Sequence, residues 1–349
     1  MRHPGRLIRI ASLSGYIELV ESLGRDPHAF LARVGLNAQT FDNPEVLIPA
    51  DAVRELLEIT SRATGTEDFA LRLADRRTFS DLGPLALVLK EEATPRQALD
   101  TLCRYLKLLN TSLITRIEDV GQSVVIREDL MPSSHHLPMR QSVELAVGVM
   151  FRILRELIGP QWQPLEVYFT HRPPAHASGH RAFFGRAPKF NQEFNGLVCA
   201  AADLQISRAA GNPKAVRFAR EYLDAALQSR SGGLAEACRE VVLVLLPGGQ
   251  CTAQQVAQHL RVDRRTLHRH LSAQGLTFSA LLNEVRSELV MRHLRDSDLP
   301  LGEVASLLGF AAQSSFSHWF RASFGCSVSQ WRARLATTES VPGEKDRGG

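Results

Sequence analysis

No run in this chain approaches the roughly 20 apolar residues that a membrane-spanning helix needs. The longest apolar stretches, Leu145–Phe151 and Val241–Leu246, fall far short. Ser, Gly and Glu interrupt the apolar residues after Ile8, so no secretory leader is read there. The expectation is a cytoplasmic protein without membrane partners. Cysteine is scarce and unpatterned. Cys103, Cys199, Cys238, Cys251 and Cys326 are odd in number and scattered, and no CxxC occurs. That argues against a disulfide framework and for reduced thiols acting as small apolar side chains. No nucleophile elbow, P-loop, dinucleotide fingerprint or metal motif is present. Catalytic residues, metal ligands and cofactors are therefore all read as none, and an enzymatic reading has nothing to stand on.

Lysine is also missing from residues 250–335, which carry 10 Arg against 6 Asp and Glu. Residues 1–249 are nearly balanced, with 29 Lys and Arg against 28 Asp and Glu. The positive excess thus sits in one segment, as attraction to a phosphate backbone requires. It is modest, so placement must contribute as well as bulk charge.

That same segment is written twice. Val256, Ala257 and Leu260 recur as Val304, Ala305 and Leu308, 48 residues on, and Val262 recurs as Phe310. Leu267 and Leu271 recur as Phe316 and Phe320 at an offset of 49. Apolar positions are kept while polar ones vary, which preserves a scaffold and changes what it reads. This predicts a tandem helix-turn-helix. In the first copy Thr252 caps a helix over 253–260, Asp263 caps a second over 264–273, and Gly275 ends it. At about 100° per residue Leu267 and Leu271 point inward, while Arg265, His268, Arg269 and Ser272 share the outer face. In the second copy the helices span 301–308 and 313–324. Phe316, Phe320 and Phe324 face the core, and Ser314, Ser317, His318 and Arg321 face out. Arginine can pair bidentately with guanine, and small polar side chains reach bases or phosphates. Between the copies, 278–295 reads as one helix of about 27 Å, close to the roughly 34 Å turn of B-DNA. An ordinary solvated face is the competing reading for either helix alone.

The segments TAQQVAQHLRVDRRTLHRHLSAQGLTFSALLNEVRSELVMRHLRD and LPLGEVASLLGFAAQSSFSHWFRASFGCSVSQWR resemble the DNA-binding domain of the AraC/XylS family of bacterial transcription regulators. The resemblance implies base reading by Arg265, His268 and Arg269 in one major groove, and by Gln313, Ser314, Ser317 and His318 in the next. Arg264 and Arg321 are expected on phosphates. The family usually has Arg where this chain has His318, so the second helix is expected to read more weakly or to read another base. It usually has Pro where this chain has Val328, which bears on the rigidity of the final turn. The partners implied are double-stranded promoter DNA, RNA polymerase and an unknown small-molecule effector, with activation as a mode and a homodimer allowed.

The preceding part reads as α+β. Helices are predicted after Asp26-Pro27, after Pro49 to about Ala63, and from Thr94-Pro95 with Ala98, Leu99, Leu102, Tyr105 and Leu106 inward. Alternation over 113–118 and 123–128 predicts a hairpin. A loop over 131–138, a helix over 139–158, a strand over 165–170, a helix over 178–184 and short strands over 187–190 and 196–200 follow. The run HRAFFGRAPKFNQEFNGLVCAAADL, after LEVYFTH, resembles the arabinose-binding-like amino-terminal domain of one AraC subgroup. That implies a domain that senses a small molecule, oligomerises, or both. No Trp-rich sugar platform marks the ligand. His171, His176 and His180 invite a metal, but Pro173 and Pro174 break any helix aligning them, and they read as a solvated loop. His135 and His136 read likewise.

The organisation expected is therefore an α+β sensing or oligomerisation domain over 1–205 and a linker helix and hinge over 206–232, with SRSGG as the break. An all-α tandem helix-turn-helix domain over 233–335 and an irregular tail over 336–349 complete it. The alternative is a constitutive DNA-binding regulator whose first domain only oligomerises or binds a protein.

Overall fold

Short-range hydrogen bonds from cap residues set many of the boundaries. The computed structural model describes residues 6–131, 137–208, 213–229, 234–249, 251–260 and 262–339. It divides into two units, Met1–Ser231 and Gly232–Gly349. His135 and His136, most of the SRSGG break and the tail from 340 lie outside the described residues.

In the first unit β1 (Leu7–Arg9) leads to α1 (Tyr16–Ser22) and α2 (Pro27–Arg33). Asp26 caps α2 by accepting from the His28 amide, and Pro27 supplies a first position with no donor to lose. β2 (Leu47–Pro49) pairs antiparallel with β1 and runs straight into α3 (Ala50–Thr64), which Gly65 ends in the left-handed region. α4 (Phe69–Arg76), α5 (Pro84–Glu91) and α6 (Pro95–Leu109) follow. Thr94 caps α6 on the Gln97 amide, and all five residues predicted inward on α6 are buried.

β3 (Leu113–Val120) and β4 (Ser123–Leu130) form the predicted hairpin, two residues longer on each strand. After α7 (Arg140–Ile158) come β5 (Glu166–Tyr168), α8 (Ser178–Phe184) and β6 (Gly196–Ala200). The four strands pair antiparallel in the order β3-β4-β6-β5. The strand expected over 187–190 does not form. Pro188 has no amide to donate, and only Lys189 bridges, to Tyr168. Gly196 is required where β6 crosses β4, because a Cβ there would lie 1.9 Å from the Ile126 carbonyl oxygen.

α7 lies between two apolar clusters. Val143, Val147, Phe151 and Leu154 join one, which runs to Phe169, Phe184 and Leu197 across the sheet, while Leu145 joins the other, around Leu13, Tyr16, Leu56 and Phe69. Gly148 lets α4 approach, since a Cβ there would meet Ala74 and Leu71 at 3.0 Å. α9 (Pro213–Ser229), in the segment expected as a linker, packs onto α5 and α6 and buries Ala219 and Leu223 in this core.

Among the described residues of the second unit the regular elements are all helices. α10 (Leu234–Leu245) buries Cys238 and Val242, and Leu246 just beyond it. α11 (Ala253–His259) starts at a reciprocal cap between Thr252 and Gln255, and α12 (Arg264–Ala273) at Asp263, which accepts from the Thr266 amide at 2.7 Å. α13 (Phe278–Asp296) is tied to α10 by Arg239, whose guanidinium lies 2.6 Å from Glu284 and 3.3 Å from Glu288. α14 (Leu301–Leu307) and α15 (Gln313–Phe324) form the second helix-turn-helix. α16 (Val328–Glu339) closes the unit.

Two findings concern that end. Val328 is buried, and the turn without proline is held by reciprocal bonds between Ser327 and Gln330 at 2.9 and 3.2 Å. α16 also runs through 336–339, which was expected to be irregular. Nothing in that stretch breaks a helix before Pro342, and the residue preceding a proline disfavours the helical region.

Candidate nucleic-acid interface and a buried cavity

α12 and α15 occupy equivalent places in the two copies. Leu267 and Leu271 bury the inner side of α12, and Phe316 and Phe320 that of α15. Leu260 and Val262, expected to be inward, are half-buried, as is Phe324. α15 is held further by aromatic contacts: Phe324 lies 4.5 Å from Phe320 and 5.5 Å from Trp331, ring centre to ring centre. Trp319 donates to Asn283 of α13 at 3.1 Å. Arg286 of α13 lies over the Phe310 ring at 4.2 Å and donates to the Leu308 carbonyl, fixing the second turn from behind. Gly309 at the turn has φ 71°, and a Cβ there would meet the Leu246 carbonyl oxygen at 2.6 Å.

The nine residues singled out in the sequence are all exposed. Arg264, Arg265, His268 and Arg269 stand on α12, and Gln313, Ser314, Ser317, His318 and Arg321 on α15. Spacings of three and four put Arg265, His268 and Arg269 on one face of α12, and Ser314, Ser317, His318 and Arg321 on one face of α15. The arginines of this unit divide sharply. Arg239, Arg286 and Arg332 are committed to carboxylates or backbone carbonyls. Arg264, Arg265, Arg269 and Arg321 form no ion pair among the described residues. Asp263, at the head of α12, is held below the usual carboxylate range by the Thr266 backbone and side-chain hydrogen bonds, so its charge serves the cap.

The first unit holds a cavity of ≈ 100 Å³ between β1, α3, α6, β4 and α7. Much of its wall is aliphatic, with Leu102, Leu106 and Leu109 from α6 and Leu145, Met150 and Ile153 from α7, and Ala146 and Val149, within the otherwise buried stretch of α7, are half-exposed onto it. Polar groups face it too: Arg9, Arg54, Arg77, Glu128, Ser12 and Ser142. The sequence reading did not find these. A signal existed for one of them. Val124, Ile126, Glu128 and Leu130 alternate on β4 and are buried together, so an acid stands in core register.

A second buried polar group corrects an expectation. His171 and His180 are not in a solvated loop; they are 4 % and 0 % exposed. Pro173 and Pro174 turn the chain back so that both rings face Glu144 of α7, 3.4 and 3.0 Å from its Oε1. Arg140 donates to the same oxygen at 3.0 Å. Burial pushes the Glu144 carboxyl up, but the His180 ring 3.0 Å away and the neighbouring charges outweigh it and hold it below the ordinary range. Burial lowers His171. His176 alone is exposed, at 88 %. Among the described residues no group of His, Cys, Asp and Glu is arranged to hold a metal ion. The described cysteines are free, and burial pushes Cys103 and Cys199 up to about 12 and Cys238 and Cys251 up to about 11.

Comparison with known proteins gives two family matches. Residues 24–207 match the arabinose-binding domain of AraC transcription regulators, amino-terminal, and residues 256–334 match a helix-turn-helix domain. The chain is 29 % identical over 332 residues to the HTH-type transcriptional regulator VirS of Mycobacterium tuberculosis, covering 94 % of this chain and 97 % of that one. It is 27 % identical to the ornithine utilization regulator of Pseudomonas aeruginosa, covering 93 % and 96 %. Among solved structures, the transcriptional regulator CdpR from Pseudomonas aeruginosa matches with a TM-score of 0.43 and 20 % identity over 88 % of this chain and 96 % of that one.

Proposed function

Because this chain belongs to the AraC family of transcription regulators and carries its DNA-binding helix-turn-helix domain, we propose that it reads promoter DNA through α12 and α15 in successive major grooves. The observation that carries this is the division of the arginines: four exposed guanidinium groups without an ion pair among the described residues stand on the two helices that repeat. Arg265, His268 and Arg269 read bases in one groove; Gln313, Ser314, Ser317 and His318 read those in the next. Arg264 and Arg321 hold phosphates. α13, 19 residues and about 28 Å long, separates the copies by nearly one turn of the duplex.

The cavity in the first unit supports an effector-responsive regulator over a constitutive one. A ligand there acts by its different affinity for DNA-competent and DNA-incompetent arrangements. The site of action is the cytoplasm, with RNA polymerase as the protein partner and activation as the mode. Phe218 and Tyr222, exposed one turn apart on α9, support a homodimer contact.

The test is selection from a random DNA pool by the full chain at two salt concentrations, with and without Arg269→Ala. Two half-sites about one helical turn apart are expected. Arg269→Ala should cost about 1–3 kcal/mol and relax preference at one base position. Uniform weakening on every sequence would place Arg269 on phosphate and overturn the base-reading assignment.

A further inference from the structure

Resting on the effector reading of the first unit, we infer that its cavity takes a small, uncharged, mostly apolar molecule of about one ring, which presents a carbonyl or hydroxyl oxygen to Glu128, Ser12 and Ser142. Size comes first. At ≈ 100 Å³ the space is smaller than the roughly 150 Å³ of an apolar cavity that closes around benzene, but it is not closed, so a single substituted ring enters with part of it at the mouth. The wall is mainly aliphatic, from Leu102 and Leu106 on one side to Val149 and Met150 on the other.

Charge comes next. Each guanidinium at the wall already has a counter-charge. Arg9 pairs with Glu45 and donates to the Asp81 carbonyl; Arg54 pairs with Asp51 and donates to the Met131 carbonyl. Arg77 has the Asp81 carboxylate as its attractive neighbour. A ligand anion would compete with these carboxylates, and a buried charge without a partner costs far more than a neutral polar group.

Glu128 is the odd member. It is 1 % exposed, lies in no ion pair among the described residues, and accepts from Thr115 Oγ1 at 2.9 Å through Oε2. Its Oε1 has no hydrogen-bond partner among the described residues. Burial, with Thr115 opposing and Asp129 adding, drives its carboxyl well above the ordinary range, which favours the neutral form, the form able to donate a hydrogen bond. Ser12 Oγ and Ser142 Oγ face the same space and have no partner among the described residues either. Three hydroxyl-type donors left unpaired in an apolar wall cost stability unless a ligand oxygen accepts from them. A hydrocarbon would leave that cost in place.

Four matched probes decide it by calorimetry on the full chain: benzyl alcohol, toluene, benzoate and benzylamine. Benzyl alcohol should bind at least tenfold tighter than each of the others. Ala146→Phe, which fills the space, should abolish that binding. Glu128→Gln, which keeps a neutral hydrogen-bonding group, should hold it within threefold, whereas Glu128→Leu should lose about tenfold. If benzoate or benzylamine bound tightest, or Glu128→Gln lost tenfold or more, the uncharged class would be overturned while the cavity remained an effector site. If toluene matched benzyl alcohol, the donor role of Glu128, Ser12 and Ser142 would be overturned. If no probe bound, or binding survived Ala146→Phe, the cavity itself would fall as the effector site.

Discussion

Acid should weaken the DNA-binding unit through one histidine. His293, in the last turn of α13, is 4 % exposed. Burial, with a smaller push from the Arg292 charge, lowers it from 6.5 to about 3. A folded value depressed in this way means that the fold holds the neutral ring. Between about pH 6.5 and pH 3 the unfolded chain binds a proton that the fold refuses, so stability falls as pH falls through that window. With the values 6.5 and about 3, the unfolded ring is about nine-tenths protonated at pH 5.5, and the loss relative to pH 7.5 is about 1.4 kcal/mol. Urea unfolding by tryptophan emission measures this on the full chain. Trp319 and Trp331 stand in the second unit and Trp162 in the first, so a Trp162→Phe background reports the second unit alone. His293→Gln, unable to titrate, should lose about 1.4 kcal/mol less than the parent between the two pH values. Equal losses in both proteins would refute the assignment of a neutral, proton-refusing His293.

Leu267, 1 % exposed under the outer face of α12, should cost about 2–5 kcal/mol as Leu267→Ala. Unchanged unfolding of the second unit would undo the division of α12 into an inner and an outer side. Gly196→Ala forces a Cβ against the Ile126 carbonyl and should lower the first unit's stability by about 3 kcal/mol or more, read by Trp162 emission. A variant as stable as its parent would show that β6 can shift freely. Cys251, pushed up to about 11 by burial, carries about a hundredfold less thiolate at pH 7.5 than an ordinary thiol, and Cys238 likewise. Neither should contribute a fast phase with a disulfide reagent, and a fast stoichiometric reaction mapped to either would contradict this upward shift.

The second unit was largely legible because its determinants are local. Asp263 closes its bond three residues on, at Thr266, and Thr252 does so at Gln255. The periodicity of Leu267 with Leu271, and of Phe316 with Phe320, already names the buried side of each helix. The first unit was legible only as elements. Residues 187–190 look like a strand in isolation, yet Pro188 limits pairing to a single bridge at Lys189. α9 shows an apolar side, but only packing says that Ala219 and Leu223 bury it against α5 and α6.

The chain's own order of residues determined two helix-turn-helix copies, the caps of the first and the outward-facing arginines, because a cap or a helical face is decided within one or two turns by hydrogen bonds and spacing. Tertiary structure alone decided the cavity and the Glu144 cluster. Ser12, Glu128 and Ser142 come from the 3-10 helix Ile10–Leu13, β4 and α7, and His171 and His180 meet Glu144 only after a proline-bent segment folds back on α7. No local rule brings such distant groups together. Their burial, and with it the upward shift of Glu128 and the downward shift of Glu144, is set by what the rest of the fold packs around them.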